Sequence, residues 1–251
     1  MKKILKRVLI GISVVIIVTA FFSVRYLIKF KSEIKKMTPI ETEKIVDNIF
    51  SIHDSFVNLF LIRDSDHYIA IDAGNNLETV SAELQKLNIA PDKITAVLLT
   101  HTHRDHVAAI KLFKKAKVYL SMQEEQMING EKSVFLWFGN KIDTKVYSLI
   151  NDNQVFNIGN IKIKGILTPG HTPGSMSYLI NDKYLFVGDA LSIKAGKVDG
   201  FNDYFNMDTK TAIKSIGTIT QIPEVEYIFS AHYGYSNDYK NAVNDWNKLR
   251  N

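Results

Sequence analysis

Five of the seven histidines in this 251-residue chain fall into three short motifs, and no other feature narrows its possible folds so far. His101, His103 and His106 lie in His101-Thr102-His103-Arg104-Asp105-His106. His171 lies in Thr168-Pro169-Gly170-His171-Thr172-Pro173-Gly174-Ser175, and His232 in Ser230-Ala231-His232-Tyr233-Gly234. Asp189 stands between the last two, in Val187-Gly188-Asp189-Ala190. Imidazole and carboxylate are the ligands that borderline cations such as zinc prefer. With Asp105 these motifs offer seven ligand-type side chains, more than one tetrahedral ion takes and about right for two ions sharing a bridge. The set points to a two-metal hydrolytic centre.

The local spacing suits that chemistry. The apolar run Ile94–Leu99 reads as a buried strand that delivers His101 at its end. His101 and His103 are two apart, so in extended backbone they project to the same side. Asp105 and His106 turn toward a neighbouring point as the next helix begins. His171 needs a tight loop, which Gly170 and Pro173-Gly174 supply. Asp189 ends an apolar strand, where an unpaired carboxylate is costly and cations relieve the cost. His53 and His67 lie outside the motifs and read as structural.

The order HxHxDH, His, Asp, His resembles the metallo-β-lactamase superfamily, the glyoxalase II-like hydrolase fold, over roughly residues 45–235. Asp72, in Ile71-Asp72-Ala73-Gly74, matches a frequent early element of that family. The resemblance implies an α+β fold, a four-layered αβ/βα sandwich with the site at one edge between two sheets. It implies that His101, His103 and His171 bind one metal, that Asp105, His106 and His232 bind a second, and that Asp189 bridges them. The expected cofactor is two Zn2+, with Fe or Mn as alternatives. Two cations acidify a bridging water toward a pKa of about 7, and the hydroxide attacks a carbonyl or phosphoryl centre. Asp105 is the expected catalytic side chain, both a ligand and an orienter of the nucleophile. Thr100, Thr102, Thr168 and Thr172 flank the ligands and are candidates for locking the imidazoles.

The expected substrate is a small ester, lactone, thioester or amide. A phosphodiesterase, an iron-dependent persulfide dioxygenase-like enzyme and a non-catalytic metal-binding membrane protein are the alternatives. The run His171–Ser175 resembles subclass B3 β-lactamases, whereas Asp189 as a bridge argues for a housekeeping-type hydrolase. Acyl-homoserine lactonases carry a tyrosine just past the bridging Asp; here Ala190-Leu191-Ser192 follows. Phe201–Phe205 is a candidate substrate rim, and Val134–Phe138 is either an apolar lid or a core-packing element.

Val8–Val24 is 17 residues without a charge, preceded by Lys2, Lys3, Lys6 and Arg7. It reads as an uncleaved membrane anchor rather than a signal peptide, since no Ala-x-Ala site follows. The expected division is an anchor and basic flank over 1–36 and a hydrolase domain over 37–251. The chain is then a single-pass cell-membrane protein, with its catalytic domain placed outside the cytoplasm. Residues 1–36 hold nine of the 31 Lys/Arg and one of the 26 Asp/Glu, so the remainder carries −3 despite the overall +5. A mildly acidic domain does not bind nucleic acid through a basic footprint. The absence of cysteine excludes thiolate ligands and disulfides.

Residues 29–45 read as a polar tether or stalk helix. Strands are expected at Asn48–Ile52, Val57–Ile62, Tyr68–Asp72, Val118–Ser121, Ile161–Leu167 and Val225–Phe229, with a hairpin of Met176–Ile180 and Tyr184–Val187. Helices are expected at Leu77–Leu87, Val107–Lys115, Met122–Asn129, Asp208–Thr218 and Asn237–Leu249. Lys111, Lys114 and Lys115 then share one solvated helix face.

Overall fold

The computed structural model describes residues 2–133, 139–144 and 146–248. Val134–Phe138, the candidate lid, lies outside the described residues. The chain packs as two units, Met1–Met37 and Thr38–Asn251.

The first unit is one helix, α1 (Lys2–Ile34). Within its segment Leu9–Ile34 an 18-residue window has a mean hydropathy of 2.1, and no residue of that window is buried in the protein. At 1.5 Å per residue the segment's 26 residues run about 39 Å, long enough for a ~30 Å hydrocarbon core. The hydroxyls of Ser13 and Thr19 donate to Leu9 O (2.9 Å) and Val15 O (2.8 Å), so neither is left unpaired in the apolar run.

The second unit starts earlier than a tether over 29–45 allows. Residues 29–34 continue α1, while Ile40 packs against the core and Glu43–Val46 forms a strand, β1. Asn58 holds this entry: Ile40 N donates to its Oδ1 and its Nδ2 donates to Ile40 O, both at 2.8 Å. The lysines of the segment hid its two inward-facing isoleucines, Ile40 and Ile45.

The first sheet contains β1, β2 (Ile49–Asp54), β3 (Val57–Asp64), β4 (His67–Ile71), β5 (Ile94–Leu98), β6 (Lys117–Ser121) and β7 (Tyr147–Ile150), in that spatial order. β1 to β4 form an antiparallel meander, and β4 to β7 are parallel. The crossover from β4 to β5 runs through α2 (Leu77–Lys86), whose N-cap Asn76 accepts from Thr79 N (2.9 Å). Then come α3 (Arg104–Val107) and α4 (Glu125–Ile128), each one turn long.

The second sheet uses β8 (Val155–Ile158), β9 (Ile161–Leu167), β10 (Met176–Ile180) and β11 (Tyr184–Phe186). After a separate hairpin, β12 (Leu191–Lys194) and β13 (Lys197–Gly200), come α5 (Thr209–Ile219), β14 (Tyr227–Ser230), β15 (Gly234–Ser236) and α6 (Tyr239–Lys248). Its order is β15-β14-β11-β10-β9-β8.

Alternation along the strands builds the layers. In β3, Phe60 and Ile62 face the second sheet, meeting Tyr178, Phe186 and Phe229, while Leu59 and Leu61 face Val80 and Leu84 of α2. In β10, Met176, Tyr178 and Ile180 enter the same inter-sheet core, and Leu179 points outward toward Ile216 and Ile219 of α5 and Val243 of α6. The result is helix, sheet, sheet, helix: a four-layered sandwich. Strands buried on both faces explain why Val57–Ile62 reads as an almost unbroken apolar run.

Two expected helices are shorter than their patterns suggest. Over Val107–Lys115 the chain forms α3 and then a 3-10 turn at Ile110–Leu112. Ala108 N still donates to Arg104 O (2.9 Å) and shares Gly74 O (3.0 Å), whereas Ala109 N donates to Gly74 O (3.4 Å) and leaves the α-ladder. Lys111 and Lys115 therefore share no helix face; they pair at the surface with Asp143 (3.0 Å) and Asp92 (2.9 Å). Over Met122–Asn129 only α4 is helical; the chain turns first at Ser121, whose carbonyl and Oγ both accept from Glu124 N (3.0 Å). The strands β7, β8, β12, β13 and β15 were not anticipated; each has three or four residues.

Candidate metal centre

Strand direction brings the motifs together. β4 and β5 are parallel, so Asp72 and the segment from Thr100 leave the same edge of the first sheet. In the second sheet β9 and β11 both pair antiparallel with β10, and β11 is parallel to β14. The segments carrying His171, Asp189 and His232 therefore also leave one common edge. Ligands commonly gather beyond the carboxyl ends of strands in this way.

All seven side chains named from the sequence meet there. Three groups have ligand atoms within 4.8 Å of one another: His101, His103 and His171; His101, His106 and Asp189; Asp105, His106 and His232. His101 and His106 are the members the groups share, and Asp189 lies against imidazoles of all three. Its Oδ2 lies 3.2 Å from His232 Nε2, 3.3 Å from His171 Nε2 and 4.0 Å from His101 Nε2, and its Oδ1 lies 3.5 Å from His106 Nε2. Asp105 Oδ2 lies 3.5 Å from His232 Nε2 and 3.7 Å from His106 Nε2. Its side chain is 23% exposed against 4% for Asp189, so Asp105 is the carboxylate that solvent reaches. Gly188 permits the approach of Asp189: its φ is +54°, and a Cβ there would sit 2.5 Å from Thr100 Oγ1.

Hydrogen bonds fix which ring nitrogen faces the centre. His106 Nδ1 bonds Asp72 Oδ2 (2.8 Å) and His232 Nδ1 bonds Phe56 O (2.6 Å). An acceptor on Nδ1 leaves the Nε2 lone pair directed inward. Thr100 Oγ1 donates to Asp72 Oδ2 (2.8 Å) and sits 3.1 Å from His101 Nδ1, which orients His101 in the same sense. Thr100 N also donates to Asp72 Oδ1 (2.7 Å). Asp72 thus anchors two imidazoles through one carboxylate. Of the flanking threonines, Thr100 touches a ligand imidazole directly. Thr102 and Thr172 bond Glu124, and Thr168 bonds Ser175 O and Ser177.

The electrostatics divide the cluster. Burial, reinforced by neighbouring imidazoles, holds the His101 pKa well below its usual range. Burial likewise pushes His103 down to about 3, and it lowers His171 in spite of Asp189. These three are neutral rings with lone pairs, the form in which histidine binds a cation. Burial also opposes charge on His106 and His232, but Asp189 and the neighbouring carboxylates outweigh it and raise both. Asp189 is held well below the ordinary carboxylate range: burial raises it, and His232, His106 and His171 together prevail.

The donor set fits divalent cations. Among the described residues, His101 Nε2, His106 Nε2 and Asp189 Oδ1 are buried polar atoms without a hydrogen-bond partner, a costly state that coordination would relieve. His53 and His67 join no such group among the described residues, and His67 pairs with Asp66 at the surface (2.6 Å).

Aromatic rings wall the centre. Phe56 stacks on His232 (5.8 Å between centroids), and Phe201 lies edge-on to His171 (5.1 Å). Phe205 and Tyr204 extend this wall from Phe201. The carbonyl of Phe56 and the carboxylate of Glu124 were missed by sequence reasoning. No motif marks a backbone acceptor, and Glu124 lies in an unremarkable polar run.

Residues 54–232 match the family model described as the metallo-beta-lactamase superfamily. The chain belongs to that superfamily. It is 29% identical over 152 residues to the "Probable polyketide biosynthesis zinc-dependent hydrolase BaeB" of Bacillus velezensis, covering 58% of this chain and 60% of the relative's length. It is 30% identical over 196 residues to the "Hydroxyacylglutathione hydrolase" of Buchnera aphidicola, covering 77% and 68% of the two chains. The crystal structure of MEM-A1, a subclass B3 metallo-beta-lactamase from a soil metagenome library, shares the fold with a TM-score of 0.61. It is 19% identical, with 77% of this chain and 80% of that one covered.

Proposed function

We propose that this chain is a membrane-anchored, binuclear metal-dependent hydrolase of a small ester, lactone, thioester or amide. The observation that carries the reading is Asp189: one buried carboxylate within 4.0 Å of four imidazoles that are spread over the three ligand groups. His101, His103 and His171 would hold one cation, Asp105, His106 and His232 the other, and Asp189 both. Zinc is the first candidate, as the description of BaeB suggests, with iron or manganese as alternatives. Such ions, when bound, supply Lewis acidity that lowers the pKa of water toward about 7 and polarises a substrate oxygen.

The chain's own residues do the rest. Asp72 and the Phe56 carbonyl keep His106 and His232 in one tautomer. Asp105, the partly exposed carboxylate, is placed to hold and return a proton during bond cleavage. Phe56 and Phe201 exclude water from one side and favour substrates with an apolar group. A cleft of about 510 Å³ beside α3, lined by Thr102, Arg104, Val107, Asn140 and Lys141, has room for a small molecule.

α1 anchors residues 1–36 in the membrane, and 37–251 form the hydrolase domain on the extracytoplasmic side. Protease added to intact cells should remove that domain; full protection would reverse the orientation. The activity is tested on the full-length chain in detergent, against ester, lactone, thioester, amide and phosphodiester panels. Turnover of one of the first four classes is expected, lost with chelator and restored by zinc. Turnover confined to phosphodiesters would overturn the substrate class.

A further inference from the structure

We propose that Glu124 is a positioning residue of the metal centre: its carboxylate fastens the loop carrying His101 and His103 to the loop carrying His171. The assignment rests on the metal-centre reading above. Glu124 is fully buried. Its Oε1 accepts from Thr102 N (2.8 Å) and Thr102 Oγ1 (2.7 Å), and its Oε2 accepts from Thr172 Oγ1 (2.6 Å). Thr102 stands between His101 and His103, and Thr172 follows His171. One side chain therefore spans the two segments that supply a complete ligand group, His101, His103 and His171.

The surroundings are built for this contact. Ser121 Oγ donates to Gly174 O (2.6 Å) and accepts from Glu124 N (3.0 Å), which seats the base of the glutamate on the His171 loop. A Cβ at Gly174 would overlap the backbone N and Cα of Glu124, so only glycine lets the two segments close to this distance. Thr172 N donates to Ser175 Oγ (3.0 Å), and the Ser175 hydroxyl lies 2.8 Å from Thr172 Oγ1, which aims the threonine at Glu124. Asn140 Nδ2 donates to Thr102 Oγ1 (2.9 Å) and aims that hydroxyl in the same way. Among the described residues Glu124 forms no ion pair. A buried carboxylate is expensive unless its lone pairs are satisfied, and here hydroxyls and amides of the ligand loops satisfy them. A glutamate that only filled space would be better replaced by an apolar side chain.

The reach of the side chain is what the proposal depends on, and it sets the test. Glu124→Asp is one methylene too short to bond both loops, whereas Glu124→Gln spans them. Full-length wild type and both variants are titrated with zinc against a chromophoric competing chelator, and the thermal midpoint of each metal-free protein is recorded. In Glu124→Asp one of the two zinc affinities should fall by about 10- to 100-fold, the range for partners that orient ligands, with the second retained. Glu124→Gln should lie closer to wild type. Loss of both affinities in step with a falling thermal midpoint would show a purely structural role and overturn the proposal, as would wild-type affinities in Glu124→Asp. If Glu124→Asp fails to fold, Thr172→Val, which cuts one arm of the clamp, takes its place with the same expected and contrary outcomes. Wild-type protein that takes up one zinc would refute the two-metal reading separately. The Glu124 assignment would then stand or fall on whether that single zinc loosens in the variant.

Discussion

The two halves of the ligand cluster are held in different ways. His106 and His232 are gripped through the imidazole itself: Asp72 and the Phe56 carbonyl bond their Nδ1 atoms, and carboxylates raise both pKa values. Among the described residues, His103 and His171 have no carboxylate or carbonyl acceptor at Nδ1 of the ring. His103 Nδ1 faces His171 Nε2 at 2.8 Å, and burial keeps both rings neutral. Their positions come from backbone, through loops tied to Glu124. One half is oriented side chain by side chain, the other by docking two loops. His101 belongs to both, through Thr100 to Asp72 and through its neighbour Thr102 to Glu124.

The largest disturbance should come from Asp189→Ala, because that carboxylate serves both halves. At least one metal should leave, and turnover should fall by more than the ~100-fold typical of partners behind the ligands. Steady-state kinetics and metal content check this; two metals and normal turnover would exclude a bridging role.

Asp72→Asn should act more narrowly. Asparagine tolerates the left-handed backbone there (φ +63°), but it cannot accept the three bonds that Asp72 now takes. A loss of about 10- to 100-fold in the affinity of the site that includes His106 is expected from competition titration, with a smaller loss at the site that includes His101, which Asp72 reaches only through Thr100. Equal weakening of both sites would break the contrast between the halves.

Gly188→Ala should cost stability before chemistry. The added methyl meets Thr100 at a position of positive φ, so a loss of about 1–3 kcal/mol by denaturant unfolding is expected. An unchanged midpoint would mean that the segment carrying Asp189 can retreat without penalty. The smallest effect belongs to His53→Ala, which should leave metal content unaltered. Loss of an ion there would add a ligand to the set.

The same contrast governs what could be read from the sequence. The seven side chains that meet at this edge stood out in the sequence because metal chemistry restricts ligands to few residue types, placed here where apolar strand patterns end. Their grouping at one edge follows from strand direction, and the double-sided burial of β3 follows from its apolar run. What lies behind the ligands was only half legible. Asp72 shows in a motif, but the Phe56 carbonyl leaves no mark on residue type, and Glu124 acts through tertiary contact some twenty residues from the nearest ligand. One short helix misread for a related reason: the carbonyl of Gly74 takes the amide of Ala109, which a local pattern assigns to the helix. Strands of three or four residues carry too little periodicity to register.

Elemental analysis of the full-length chain, purified in detergent without chelator, tests the two-cation centre most directly. About two zinc ions per chain is the expected result. One iron per chain, or no metal at all, would contradict a binuclear hydrolytic site.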